Sequence, residues 1–156
     1  MGDCSDGPHG PLADWDVSRI TDMKEMFKDA SSFNTDLSKW DVSSVTNMDG
    51  MFIKASSFNG DLSKWDVSSV TNMYTMFYLA SSFNGDLSKW DVSSVTNMNI
   101  MFQGASSFNQ RLCGAAWVFS KASKDYMFYG SSGSISTTLC GLWCIGIDIV
   151  YFCIAT

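Results

Sequence analysis

WDVSSVTNM occupies residues 40–48, 65–73 and 90–98 of this chain, and the longer FNGDLSKWDVSSVTNM is written at 58–73 and again, unchanged, at 83–98. The copies lie 25 residues apart. Aligned on tryptophan, the units run 15–39, 40–64, 65–89 and 90–114, with indoles at Trp15, Trp40, Trp65 and Trp90. A worn fifth unit follows: MFYGSSG at 127–133 echoes MFQGASS at 101–107, with the spacing stretched by one residue. A fixed period of roughly 20–50 residues is the mark of a solenoid, propeller or array. A unit this short cannot enclose a core alone, so it buries its apolar face against its neighbours. Identical side chains then pile up along one axis, and copying becomes a packing requirement.

Two rhythms run through one unit. Val45, Met48, Met51, Phe52 and Ala55 are apolar, and counted from Met48 they make the stripe of an amphipathic helix. Thr46 is placed to cap its N-terminus, and Ser56-Ser57 ends it. Around Leu62–Val67 the rhythm alternates: Trp65 and Val67 share one face of a short strand, with Lys64 and Asp66 on the other. The expected fold is an α/β repeat, a solenoid with one short parallel strand and one short helix per coil, the strands about 4.8 Å apart. Its core is expected from Trp15, Trp40, Trp65, Trp90, Met51, Phe52, Met76, Phe77, Phe58 and Phe83, methionine thioethers adapting to gaps between rings. Residues 1–14 read as an irregular leader, 15–114 as four repeats, 115–138 as a degenerate repeat that caps the stack, and 139–156 as an apolar tail.

Composition narrows the function. The 156 residues fit one domain. A net charge of −6 with no Lys/Arg run argues against nucleic-acid binding. The apolar fraction of 46%, with ten Met, six Trp and eleven Phe, suits a folded core. The leader MGDCSDGPHGPLAD has no apolar run, so no secretory signal peptide is expected in it. Gly2 is not expected to be myristoylated, because Asp6 stands where Ser or Thr is needed. Five cysteines, Cys4, Cys113, Cys140, Cys144 and Cys153, leave one thiol over unless it pairs between chains. His9 is the one histidine, so a zinc site is not expected. No phosphate loop or nucleophile with a base is present. The acidic residues are copies in equivalent environments, whereas acid–base catalysis separates two carboxyls by environment. The chain is expected not to be an enzyme and to need no cofactor.

Four ladders remain as candidate surfaces or supports. Lys39, Lys64 and Lys89 form one row, and Asp16, Asp41, Asp66 and Asp91 the next. They read either as a charged docking face, with carboxylates able to share calcium between coils, or as Asx-turns closing Asp-Val-Ser-Ser. A second acidic row, Asp36, Asp61 and Asp86, breaks at Arg111. The units differ most at Lys24, Glu25, Lys28 and Asp29 and their counterparts Asp49, Gly50, Ile53, Lys54; Tyr74, Thr75, Tyr78, Leu79; and Asn99, Ile100, Gln103, Gly104. This is the helix side away from the Met/Phe stripe. Tyr74, Tyr78 and Leu79 make an apolar group there that either anchors a partner or records drift at solvated positions. Thr21, Thr46, Thr71 and Thr96 read as caps rather than an ice-binding row. Asn34, Asn59, Asn84 and Asn109 read as buried amides that satisfy the adjacent coil.

The tail LCGLWCIGIDIVYFCIA, 139–155, is 17 residues of mostly apolar side chains with one charge, Asp148. It is short for a membrane span of about 20 residues. Membrane anchoring through 139–155, a strand-like flap over the open end, and a segment foreign to the repeat are the readings left open.

The pattern LxxWDVSSVTNMxxMFxxASSFN over 14–133 resembles the BspA-like leucine-rich-repeat surface proteins. It looks closer still to the repeat of unknown function in mycoplasma lipoproteins, also common in diatoms and other protists. In that resemblance Leu62, Trp65 and Val67 take the strand positions of a leucine-rich repeat, and Phe52 and Phe58 the outer apolar ones. It implies a curved, right-handed leucine-rich-repeat-like solenoid. It also implies a non-enzymatic interaction or adhesion role at the cell surface, toward a protein or glycan, and no catalytic residue. A structural array that self-associates end to end, or a calcium-binding surface repeat, is the alternative. Such proteins often close with a Cys in FNQxLC and a second after the final MFxGS. Cys113 is present, but the second position reads Ser132-Gly133, leaving Cys140 or Cys144 to take its place.

Overall fold

The computed structural model of the chain describes residues 10–147 and 150–155, those of the last two strands by backbone alone. Gly2, Cys4, Asp6 and His9 of the leader, and Asp148 of the tail, lie outside the described residues.

Each coil is tied to the next by main-chain hydrogen bonds at a constant offset. Met48, Gly50, Phe52 and Lys54 donate to the carbonyls of Asn72, Tyr74, Met76 and Tyr78 at 2.8–2.9 Å. The same set runs from Met23, Glu25, Phe27 and Asp29 into the second coil, and repeats from the third coil to the fourth and from the fourth to the fifth. In the opposite direction the N–H groups of Thr46, Thr71 and Thr96 donate to the carbonyls of Thr21, Thr46 and Thr71 at 2.8 Å. Parallel bridges join Asp22, Asn47, Asn72, Asn97 and Ser123 in one line.

The helix expected from Met48 is absent. Met51, Ile53 and Ala55 donate three residues back, to Met48, Gly50 and Phe52, while the residues between them donate to the next coil. Gly50 (φ 62°) and Lys54 (φ 54°) are left-handed, as are Glu25 and Asp29, Thr75 and Leu79, Ile100 and Gly104, and Tyr126 and Gly130. Past its first turn an α-helix spends every N–H on itself. This chain spends alternate ones on its neighbour, and two left-handed residues per coil keep the turns from fusing into a helix. The apolar stripe survives because overlapping turns also bring Met48, Met51, Phe52 and Ala55 to one side, where all four are fully buried.

The strand expected at Leu62–Val67 is absent too. The alternation is real, with Trp65 and Val67 buried and Lys64 and Asp66 exposed, but no strand or bridge forms there. Instead Trp40, Trp65 and Trp90 donate their indole N–H groups to the carbonyls of Leu12, Leu37 and Leu62 at 2.9–3.1 Å. Strand pairing at the leucine position occurs in the last coil, where β1 (Arg111–Leu112) pairs in parallel with β2 (Ser134–Ile135).

The core is a pair of phenylalanine columns walled by methionine. Phe27, Phe52, Phe77, Phe102 and Phe128 stack at 5.4–5.6 Å between ring centroids. Phe33, Phe58, Phe83 and Phe108 stack beside them at 5.6–6.0 Å. Within a coil the columns touch at 4.0–4.2 Å. Met51, Met76, Phe58 and Phe83 are fully buried, and Trp40, Trp65 and Trp90 nearly so. Trp15 departs from the expectation at 40% exposed, because no described coil lies over it; its indole turns to the Gly10 carbonyl. Trp117, on the short helix α1 (Ala115–Val118), fills the fifth indole position and donates to Leu87 at 2.8 Å. The coil bends there, past Gly114, where a Cβ would overlap the Ser88 carbonyl.

Cys113 is bonded to Cys140. Beyond it, β3 (Leu142–Ile147) and β4 (Val150–Ala155) form an antiparallel hairpin. Among the described residues no helix is long and apolar enough to cross a membrane.

Candidate functional site

The aspartates of the WDVSS motif are held by serine. Asp41 Oδ1 accepts from the Ser43 N–H at 3.1 Å and from its hydroxyl at 2.6 Å. Asp66 and Ser68 repeat both bonds, as do Asp16 and Ser18, and Asp91 accepts from the Ser93 N–H. Asp36, Asp61 and Asp86 accept from the N–H of Ser38, Ser63 and Ser88 at 2.9 Å. These are Asx-turns, and they explain how like charges stack. The Ser43 hydroxyl and N–H hold the Asp41 carboxyl below its ordinary value of 3.8, against the neighbouring Asp66 and Asp16, which push it up. The serine bonds lower Asp16, Asp61, Asp66 and Asp91 in the same way. For Asp36 and Asp86 the backbone bond is the largest cause. Among the described residues no three His, Cys, Asp or Glu side chains converge as a metal site.

Lys39, Lys64 and Lys89 are exposed beside this row, as are Asp41, Asp66 and Asp91. Lys39 lies 3.7 Å from Asp14 rather than pairing with Asp41. The result is a regular face of lysines and serine-held carboxylates. Arg111, which interrupts the second acidic row, turns to the hydroxyls of Ser136 and Thr138. It lines a shallow cleft of about 290 Å³ beside the Cys113–Cys140 bond.

The variable positions do not lie on a helix. They sit at and beside the left-handed turns. Tyr74 is 36% and Leu79 38% exposed, with Tyr78 half-buried. Leu79 lies across the space a Cβ at Gly104 would take, so the glycine lets the leucine fold onto the next coil. Lys24 pairs with Asp49 of the next coil at 2.9 Å, which raises the lysine's pKa.

Two ladders differ from their expected roles. Thr46, Thr71 and Thr96 cap no helix; their hydroxyls donate to the carbonyls of Thr21, Thr46 and Thr71 at 3.0–3.1 Å. Asn34, Asn59 and Asn84 are exposed rather than buried, each accepting from the N–H of the next copy at 2.9 Å. A third ladder escaped the sequence reading. Asn47 donates to Asp22 and Asn72 to Asn47 at 3.1–3.2 Å, and each Oδ1 also accepts the N–H two residues on. Its signal was present: this Asn is the one amide inside every WDVSSVTNM copy.

The family model described as a Mycoplasma protein of unknown function, DUF285, matches residues 3–117. No curated protein and no solved structure matches the chain.

Proposed function

We propose that this chain, which belongs to the DUF285 family of Mycoplasma proteins of unknown function, is a non-enzymatic interaction or adhesion module displayed at a cell surface. The coils would form a right-handed, leucine-rich-repeat-like solenoid lacking the helix, and the run of parallel bridges from Asp22 to Ser123 supports that class. The observation that carries the functional reading is the exposed pair Tyr74 and Leu79 in the middle coil, with Tyr78 half-buried between them. The group sits on a frame in which main-chain hydrogen bonds tie each coil to the next. Aromatic and aliphatic side chains left in water on a rigid frame are the usual anchors of a binding surface, and tyrosine also stacks on sugar rings. The row of Lys39, Lys64 and Lys89 with Asp41, Asp66 and Asp91 supplies a second, charged face.

Glycan-array and cell-binding assays test this with the full chain. Binding is expected, reduced about tenfold or more by Tyr74→Ala with Leu79→Ala, while unfolding by urea stays unchanged. Binding that is indifferent both to those changes and to Lys64→Glu with Lys89→Glu would refute it.

A further inference from the structure

The stack has two unlike ends. In every interior junction one coil presents four N–H groups and the next presents four carbonyls. In the first coil the carbonyls of Asp22, Lys24, Met26 and Lys28 hold the accepting positions, and among the described residues nothing donates to them. In the fifth coil the N–H groups of Lys124, Tyr126, Phe128 and Gly130 hold the donating positions, and among the described residues nothing accepts them. Both terminal coils keep the interior backbone, left-handed at Glu25 and Asp29 and at Tyr126 and Gly130. The donor edge of one copy is therefore already shaped for the acceptor edge of another.

The side chains agree with the backbone. Following the bridge line from Asp22 to Ser123, Lys24 and Asp125 occupy the same column at opposite ends. Stacked in register, they would set opposite charges against each other as Lys24 and Asp49 are, with the order reversed. Phe128, the last of its column, would meet Phe27, the first, continuing a stack spaced 5.4–5.6 Å. Among the described residues, Trp15, Ile20 and Met26 at one end and Phe119, Tyr126 and Tyr129 at the other are six of the eight large apolar side chains left exposed. One column ends differently: the Lys124 ammonium is drawn back to the carbonyls of Ser120 and Ala122.

We infer that the fifth coil of one copy docks on the first coil of another, Lys124–Gly130 donating to Asp22–Lys28. The partner is a second copy of this chain. Because the two patches differ, the contact is heterologous and builds an open filament rather than a closed dimer. This stands apart from the lateral binding surface proposed above, whose residues it does not use.

Sedimentation velocity on the full chain, from micromolar to millimolar, is expected to show species that keep growing. Electron microscopy should show filaments with an axial repeat of about 24 Å, five steps of about 4.8 Å. Asp125→Lys and Lys24→Asp, each folded by circular dichroism, should weaken association about tenfold. Mixing the two variants should restore growth, since each then meets an opposite charge. Met26→Lys supplies an independent block at the apolar part of the same edge. A monomer at all concentrations, growth that stops at a dimer, or growth indifferent to Asp125→Lys, Lys24→Asp and Met26→Lys would each overturn the inference.

Discussion

A single tryptophan carries two jobs in this chain. Trp65 is buried and also closes the gap between coils by donating to the Leu37 carbonyl at 3.0 Å. Trp65→Ala should therefore cost about 3–5 kcal/mol, while Tyr74→Ala, at an exposed site, should stay within about 0.5 kcal/mol. Urea unfolding compares the two, and equal losses would contradict the burial pattern. The aspartates act through protons. Each serine-held carboxyl has a folded pKa below the ordinary 3.8. The folded state thus favours the ionised form, and the unfolded chain takes up protons first as pH falls. The stabilisation is complete above 3.8 and is lost as pH drops through the lowered folded values. The urea midpoint should fall across that window, and less steeply in Asp66→Asn. A midpoint unchanged by acid would show that the serine bonds do not stabilise the fold.

At the scale of the coil, the left-handed turns decide the geometry. They recur at two positions whatever residue stands there, including the β-branched Thr75 and Ile100, which pay a steric cost. Lys54 is exposed and left-handed, and its ion pair with Asp29 is loose at 3.7 Å. Lys54→Gly is expected to stabilise by about 0.5–1 kcal/mol, visible as a melting temperature raised by about 2–4 °C. Gly104→Ala should do the opposite, since φ is +70° and Leu79 fills the space of the new Cβ. The stripe of Met48, Met51, Phe52 and Ala55 was legible because burial has the same spacing in a helix and in overlapping turns. Which of the two forms was not legible, because the choice is made by hydrogen bonds to residues 24 positions away.

The whole molecule is a chain of nearest-neighbour contacts. Removing residues 65–89, one complete repeat, should leave a folded protein whose denaturant sensitivity falls by roughly a fifth, as exposed surface scales with coil number. Removing 65–77 should unfold it, since that puts Phe83 where the stack requires another side chain. Circular dichroism and urea titration distinguish the two. A full-repeat deletion that abolishes folding would mean the coils are not equivalent.

Period, core composition and the stacking of like on like follow from the repeated WDVSSVTNM, because a short unit can bury its apolar residues only against its own copies. The aromatic columns, the buried Trp40, Trp65 and Trp90 and the serine-held aspartates all descend from that periodicity. Three things required the folded coil: that Asn47 and Asn72 rather than Leu62–Val67 carry the bridges, that Cys113 finds Cys140, and that, among the described residues, the first coil keeps a row of unmatched carbonyls and the fifth a row of unmatched N–H groups. Each depends on where a backbone N–H or carbonyl points, and that direction is settled by a partner a full coil away rather than by the residue that bears it.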